Sequence, residues 1–335
     1  MIHAGGFLLC AVIIFFAGKK LSFYGDQLAE KTGMGKAWIG LILMASVTSL
    51  PELMVGISSA AIVQSADLAV GDILGSCAFN LGIIAIMDAF LPRHHTLLGT
   101  ASPNHILAAA LGIILISLVG VAIFLPDDIV LSSWIGVTSL SFIIIYLFSI
   151  RLIYLNEKNL AKASQGSQIG QHTNIDISLK TIIGKYALFA LIIIAAALTL
   201  PYFAEKIAED TGLDKSFVGT FFLAVSTSMP EIAVSLAAVR MGSLDLAVGN
   251  LLGSNLFNIL ILAIDDIFYA QGHILKDASP YNIISVFSAI LMTAVAIIGL
   301  SYRTKGKRFL LAWDAALIFL IYIVNIFLLY QLSNS

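Results

Sequence analysis

Thr48-Ser49-Leu50-Pro51-Glu52 returns about 178 residues later as Thr227-Ser228-Met229-Pro230-Glu231. Downstream of each copy lies a second match: DLAVGDILGSCAFN from Asp67 to Asn80 returns as DLAVGNLLGSNLFN from Asp245 to Asn258, identical at ten of fourteen positions. Similarity begins upstream as well. Ala29, Glu30, Thr32 and Gly33 parallel Ala208, Glu209, Thr211 and Gly212, and Lys36 and Gly40 parallel Lys215 and Gly219. The repeat is therefore a whole module rather than a chance pentapeptide. Each copy places one glutamate beside a proline in strongly apolar sequence, which is how a protein would build a buried cation site from two broken helices.

Composition supplies the solvent. Of 335 residues, 59% are hydrophobic and 11% charged, against roughly 25% charged in ordinary globular chains. Mean hydropathy is +0.98, the value of a chain that crosses a bilayer many times. The net charge of −2 says nothing about partners. Cys10 and Cys77 both fall in apolar segments and read as small packing residues, not a disulfide framework. The start of the chain lacks a basic n-region, so the first apolar stretch is expected to stay in the mature protein.

Apolar segments fall at about 4–27, 37–63, 67–91, 103–125 and 129–154, then at about 181–204, 216–239, 245–270, 281–302 and 309–332. Each is near the roughly 20 residues that span the hydrocarbon core. Lys19 and Lys20 interrupt the first, where snorkelling accommodates them. With both termini outside, fifteen of the 18 Lys and Arg residues face the cytoplasm; only Lys206, Lys215 and Lys276 stay outside. Five spans per half then make the two halves enter the membrane in opposite directions. The expected fold is all-α, with ten transmembrane helices in two inverted five-helix repeats, 1–155 and 180–335. A polar cytoplasmic linker, 156–179, joins them and is too short for a folded regulatory module.

Pro51 and Pro230 each remove a backbone donor and displace the carbonyl four residues earlier, at Val47 and Ser226. Kinks alone would be ordinary; the adjacent glutamates are not. No Lys or Arg shares either span's middle, so a bound cation is the natural partner of Glu52 and Glu231. Thr48 and Ser49 lie four and three residues before Glu52 and share its helical face; Thr227, Ser228 and Glu231 repeat the geometry. Ser76 and Asn80, mirrored by Ser254 and Asn258, are one turn apart and complete the candidate ligands, while Gly71 and Gly249 read as helix-packing residues. Hydroxyl, carbonyl, amide and carboxylate oxygens are hard ligands, suited to Ca²⁺, Na⁺ or Mg²⁺. Two glutamates with neutral amides give a site charge of −2, which balances one Ca²⁺. Asp72, opposite Asn250 in the repeat, is either a vestibule acid or a water-exposed helix-end residue.

At these motifs the chain resembles the cation/calcium exchanger superfamily, close to its prokaryotic sodium/calcium antiporters, over nearly its whole length. The resemblance implies that the second, third, seventh and eighth helices surround the ions while the first and sixth slide across them. Carried over by position, the ligands are Thr48, Ser49, Glu52, Ser76 and Asn80, with Thr227, Ser228, Glu231, Ser254 and Asn258, and the backbone carbonyls of Ala45 and Ala224. Many relatives carry an acid at the Asn80 or Asn258 position. Its absence at Asn258 argues against K⁺ coupling. Asp72 stands where the family usually has asparagine.

The expected function is secondary antiport, Ca²⁺ leaving as Na⁺ enters, at the cell (plasma) membrane. Ca²⁺/H⁺ exchange would use the same glutamates. A passive channel fits inverted repeats poorly. An enzyme finds no support in a His/Cys metal cluster, nucleophile elbow or phosphate-cradling loop; His94 and His95 read as interfacial. No cofactor beyond the transported ions and no nucleic-acid partner is expected, and the fold is compatible with a monomer.

Overall fold

The computed structural model describes residues 2–32, 45–124, 130–132, 135–163 and 178–333. Gly33, Lys36 and Gly40, the start of the expected second span, and residues 164–177 of the linker lie outside the described residues.

In the first half, α1 (Ile2–Thr32) precedes a broken span made of α2 (Ala45–Thr48) and α3 (Leu50–Ser58), which ends in a π-helical turn at Ser59–Val63. Then come α4 (Ala66–Phe90), the short α5 (Leu97–Thr100), α6 (His105–Phe124) and α7 (Val137–Ala163). In the second half, α8 (Leu179–Thr211) precedes a span broken into α9 (Lys215–Val218), a π-helical turn at Gly219–Leu223, α10 (Ala224–Thr227) and α11 (Met229–Arg240). It is followed by α12 (Leu244–Phe268), the short α13 (Ile274–Asp277), α14 (Asn282–Tyr302) and α15 (Trp313–Ser333).

Eight described helices are long and apolar enough to cross a membrane, and the pair Lys215–Thr227 and Met229–Arg240, bent by 46°, makes a ninth span. The tenth expected span is represented by the shorter apolar helix Leu50–Val63. Two boundaries differ from expectation. An antiparallel ribbon of β1 (Val130–Ser132) and β2 (Ile135–Gly136) occupies the expected start of the fifth span, so its helix begins at Val137. Val130 and Ile135 are β-branched and favour extended backbone. At its other end α7 runs on to Ala163, making the first residues of the polar stretch helical.

Burial sorts the helices. In α4 and α12, 83% of the best apolar window is buried, against 28–33% in α1, α7, α8 and α15. The first pair is apolar on every side because protein surrounds it; the others turn Leu, Ile and Phe side chains outward, as lipid-facing helices do. Lys19 and Lys20 lie on the exposed side of α1.

Hydrogen bonds repeat between the halves. Asp88 Oδ1 accepts from the Leu97 amide at 2.9 Å and Asp266 Oδ1 from the Ile274 amide at 2.8 Å. Asp67 and Asp245, the first residues of the second matching stretch, accept from the amides of Ser279 (2.5 Å) and Ser102 (2.6 Å) in the opposite halves. These four acids staple the loops at the two ends of the bundle. Gln64 (φ 56°) and Gly242 (φ 76°) occupy the same left-handed turn before α4 and α12. Glycine enters it freely; Gln64 is held there with its Oε1 accepting from Gln271 Nε2 at 2.9 Å.

The halves interlock at the centre. α4 packs on α12 and on the π-helical turn of the opposite half; α1 packs along α8 and leans on α11, while α8 leans on α3. Close approach of α4 requires small residues: a Cβ at Gly71 would meet the Ser216 carbonyl, and one at Gly75 would meet the Thr220 backbone and Ala224. Since backbone cannot rotate away as a flexible side chain can, Gly75→Val should destabilise the protein by about 2 kcal/mol or more. Gly184→Ala, at a position with open space around it, should be neutral or stabilising by up to about 1 kcal/mol. Thermal midpoints of both variants in detergent check this.

Candidate cation site

The helix breaks fall at Ser49 (φ −84°, ψ 14°) and Ser228 (φ −80°, ψ 12°). Each proline sits in the first turn of the segment after the break, so α3 and α11 restart just before the glutamates. Glu52 and Glu231 therefore occupy the N-terminal turn of a new half-helix, where free amides and the helix dipole favour a carboxylate. Both are fully buried.

Each glutamate takes a hydrogen bond from the other half. Ser49 Oγ donates to Glu231 Oε1 at 3.2 Å, and Ser228 Oγ donates to Glu52 Oε1 at 2.9 Å. Since each serine lies three residues before its own glutamate, this crossed pairing holds the two carboxylates side by side where the breaks meet. Ser254 Oγ also donates to Glu231 Oε1 at 3.3 Å, and Ser76 Oγ meets Ser228 Oγ at 3.2 Å. Thr227 Oγ1 is 3.3 Å from Ser76 Oγ, and Thr48 Oγ1 is 3.4 Å from Ser254 Oγ. Eight of the expected ligands thus form two matching clusters of four, one around each glutamate.

The Ala45 and Ala224 carbonyls accept the Ser49 and Ser228 amides at 2.9 and 3.1 Å, and each lies 3.2 Å from its threonine hydroxyl. Asn80 and Asn258 sit one turn further along α4 and α12. Asn80 Nδ2 donates to Asn255 Oδ1 at 3.0 Å, and Asn255 Nδ2 to the Cys77 carbonyl at 3.0 Å. Asn258 Nδ2 lies 3.8 Å from Cys77 Sγ. Four buried acceptors on the expected ligands have no donor: Glu52 Oε2, Glu231 Oε2, Asn80 Oδ1 and Asn258 Oδ1. None of the ion pairs among the described residues involves either glutamate. Among the described residues no group of three or more His, Cys, Asp or Glu is arranged to hold a metal ion.

Four residues at or beside the site were not among the expected ligands. Asp72 is fully buried, which excludes a water-exposed helix end, and its Oδ1 accepts from Thr227 Oγ1 at 3.0 Å. Asn250 stands opposite, its Oδ1 3.5 Å from Thr48 Oγ1. The centre consequently holds three carboxylates, not the two counted from the motifs. Asn255 and Cys77, equivalent to each other, join the asparagine layer; Cys77 is more than a packing residue. The signal was present in the repeat, because positions 72 and 77 are where the two copies differ in polarity. Gly71 packs against backbone, as expected.

Inverted helical halves, each breaking at its centre around a buried carboxylate, define a secondary ion transporter of the alternating-access class. The chain belongs to the sodium/calcium exchanger protein family, whose model matches residues 2–152 and 180–331. It is similar to the sodium/calcium exchanger MaX1 of Methanosarcina acetivorans, with 25% identity over 97% of this chain and 99% of that protein. The inner membrane protein YrbG of Escherichia coli is 26% identical over 84% of this chain and 85% of its own length. A solved structure of the sodium-calcium exchanger NCX_Mj superposes with a TM-score of 0.64 at 21% identity, covering 97% of this chain and 98% of that one. The fold is shared with it. Family membership makes this protein a multi-span membrane antiporter of the cation/calcium class, not an enzyme.

Asp72→Asn restores the amide of the second repeat and keeps an oxygen for Thr227. The thermal midpoint should stay within a few degrees. Half-saturating Ca²⁺ should rise about tenfold with the ion supplied at either face, since one charge leaves the centre. Flux assays in vesicles of both orientations check it.

Proposed function

We propose that the protein exports Ca²⁺ in exchange for Na⁺, with both ions held in turn between Glu52 and Glu231. The observation that carries this reading is the set of four buried, donorless oxygens on Glu52, Glu231, Asn80 and Asn258. An unsatisfied buried acceptor costs about 1–3 kcal/mol, more when charged. A cation of hard character relieves all four at once, and Ca²⁺ tolerates the irregular shell of six to eight oxygens that helices supply. Thr48, Ser49, Ser76, Thr227, Ser228 and Ser254 add hydroxyl oxygens, and the Ala45 and Ala224 carbonyls add backbone ones. Asp72 contributes charge beyond what one Ca²⁺ neutralises, leaving room for a companion monovalent ion or proton.

Access would alternate by movement of α1 and α8, each of which rests on the broken helix of the opposite half. Gly18 lets α1 pass directly over the ring of Pro230, a smooth crossing for a sliding helix. The working unit comprises halves 1–155 and 180–335 joined by the cytoplasmic linker 156–179, both termini lying outside the plasma membrane. Proton-coupled exchange at the same carboxylates is the alternative, and the threonines separate the two. Two glutamates alone cannot hold several Na⁺ ions, so sodium coupling needs the hydroxyls.

Glu52→Gln or Glu231→Gln should nearly abolish ⁴⁵Ca²⁺ flux in proteoliposomes, while Asn80→Ala or Asn258→Ala should be milder, each losing one neutral oxygen. Wild-type exchange in either glutamate variant, at equal protein in the membrane, refutes the site. Thr48→Val and Thr227→Val should weaken Na⁺-driven exchange more than Ca²⁺ binding. Flux that ignores Na⁺ and follows only a pH gradient would replace sodium coupling with proton coupling.

A further inference from the structure

One buried acid remains outside the central network. Asp265, near the end of α12, is fully buried, and neither of its carboxylate oxygens has a hydrogen-bond partner. Its neighbour Asp266 is fully employed, accepting from the Ile274 amide and from Ser139 Oγ at 2.5 Å. Asp265 lies against Gly56 of α3, one turn beyond Glu52, where a Cβ on the glycine would land on the carboxylate. The acids whose charges bear on it are Asp72 and Asp266. Asp72 Oδ2 is likewise buried without a partner. None of the ion pairs among the described residues includes Asp265 or Asp72.

The repeat shows that the fold does not require this acid. Asp266 corresponds to Asp88, so Asp265 corresponds to Met87, which is buried in the hydrophobic core at the opposite end of the bundle. An uncompensated carboxylate in an apolar bundle is destabilising by several kcal/mol. Protonation would remove its charge but would give its remaining carbonyl oxygen no donor. A cation supplies what both oxygens lack.

We propose that Asp265, together with Asp72 on the near edge of the centre, forms a second cation station, offset from Glu52 and Glu231 toward the face that carries Gln64 and Gln271. It takes the same hard cations, Ca²⁺ or Na⁺, as they pass between that face and the centre. The opposite face, with Met87 in the equivalent place, has no such station. The choice of ion rests on the central-site reading above, but the sidedness does not. Ions entering from the Gln64 face are gathered by two carboxylates before reaching the centre; ions from the other face are not.

The test uses the full-length chain in right-side-out and inverted membrane vesicles, with the Gln64 face assigned by thiol labelling of a Gln271→Cys variant. Asp265→Asn and Asp265→Met, the latter installing the residue of the first repeat, should raise half-saturating Ca²⁺ about tenfold when the ion is offered at the Gln64 face. From the opposite face the shift should stay within about twofold. Both variants should fold, because the carboxylate makes no structural bond. A shift equal from both faces, no shift, or failure of both variants to reach the membrane folded would each overturn the inference. Glu52→Gln, run alongside, should remove flux from both faces. Retained flux there would defeat the central-site reading while leaving the one-sided Asp265 effect to be judged on its own.

Discussion

Carboxylates buried in an apolar bundle with no basic partner are the constraint around which the rest of this structure is arranged. Each one at mid-membrane is unfavourable by about 3 kcal/mol on insertion scales; Glu52 and Asp72 share one buried chain of polar side chains, and Glu231 lies in the equivalent chain of the other repeat. Two features lower that penalty without a lysine or arginine. Helix breaks at Ser49 and Ser228 restart the chain so that each glutamate lies in an N-terminal turn. Hydroxyls from the opposite half donate to one oxygen of each glutamate. The other oxygen of each has no donor, as the proposed cation site requires. A lysine would neutralise the charge permanently and leave no place for an ion that must depart.

The two-fold relation between the halves explains how such a centre can open to either side. The crossed Ser–Glu pairs, the threonine contacts and the four loop-stapling aspartates recur in both halves, so the two outward routes are built from equivalent parts. Against that background the departures stand out. Asp72 faces Asn250 across the repeat, Cys77 faces Asn255, and Asp265 faces Met87. Each adds a charge or removes a polar group on one side only. Symmetric architecture with asymmetric charge gives the two ends of the bundle different electrostatics.

Much of this was legible in the sequence because membrane-spanning helices and repeated motifs are strong signals. The apolar segments and the breaks at the proline motifs follow from hydropathy and from proline's missing amide. What periodicity could not reveal was contact between halves. Ser49 shares a helical face with Glu52, yet it donates to Glu231, a partner 182 positions away. Asp72 looked ambiguous because a single acid near a helix start can face water or protein, and only packing decides. The ribbon at Val130–Gly136 was hidden inside an apolar run, where β-branched residues suit strand and membrane helix alike. Asp265 was invisible for a related reason: beside Asp266 at the end of a span it resembles an ordinary interfacial acid.

The most direct measurement is anomalous diffraction from crystals of the full-length chain soaked in Sr²⁺, a larger ion of the same charge and ligand preference as Ca²⁺. The expected result is a peak between Glu52 and Glu231, in contact with the carboxylate oxygens of both halves at about 2.3–2.6 Å or slightly more. Strontium bound only at the surface, or an empty centre at saturating concentration, would contradict the account that these buried carboxylates exist to hold a cation.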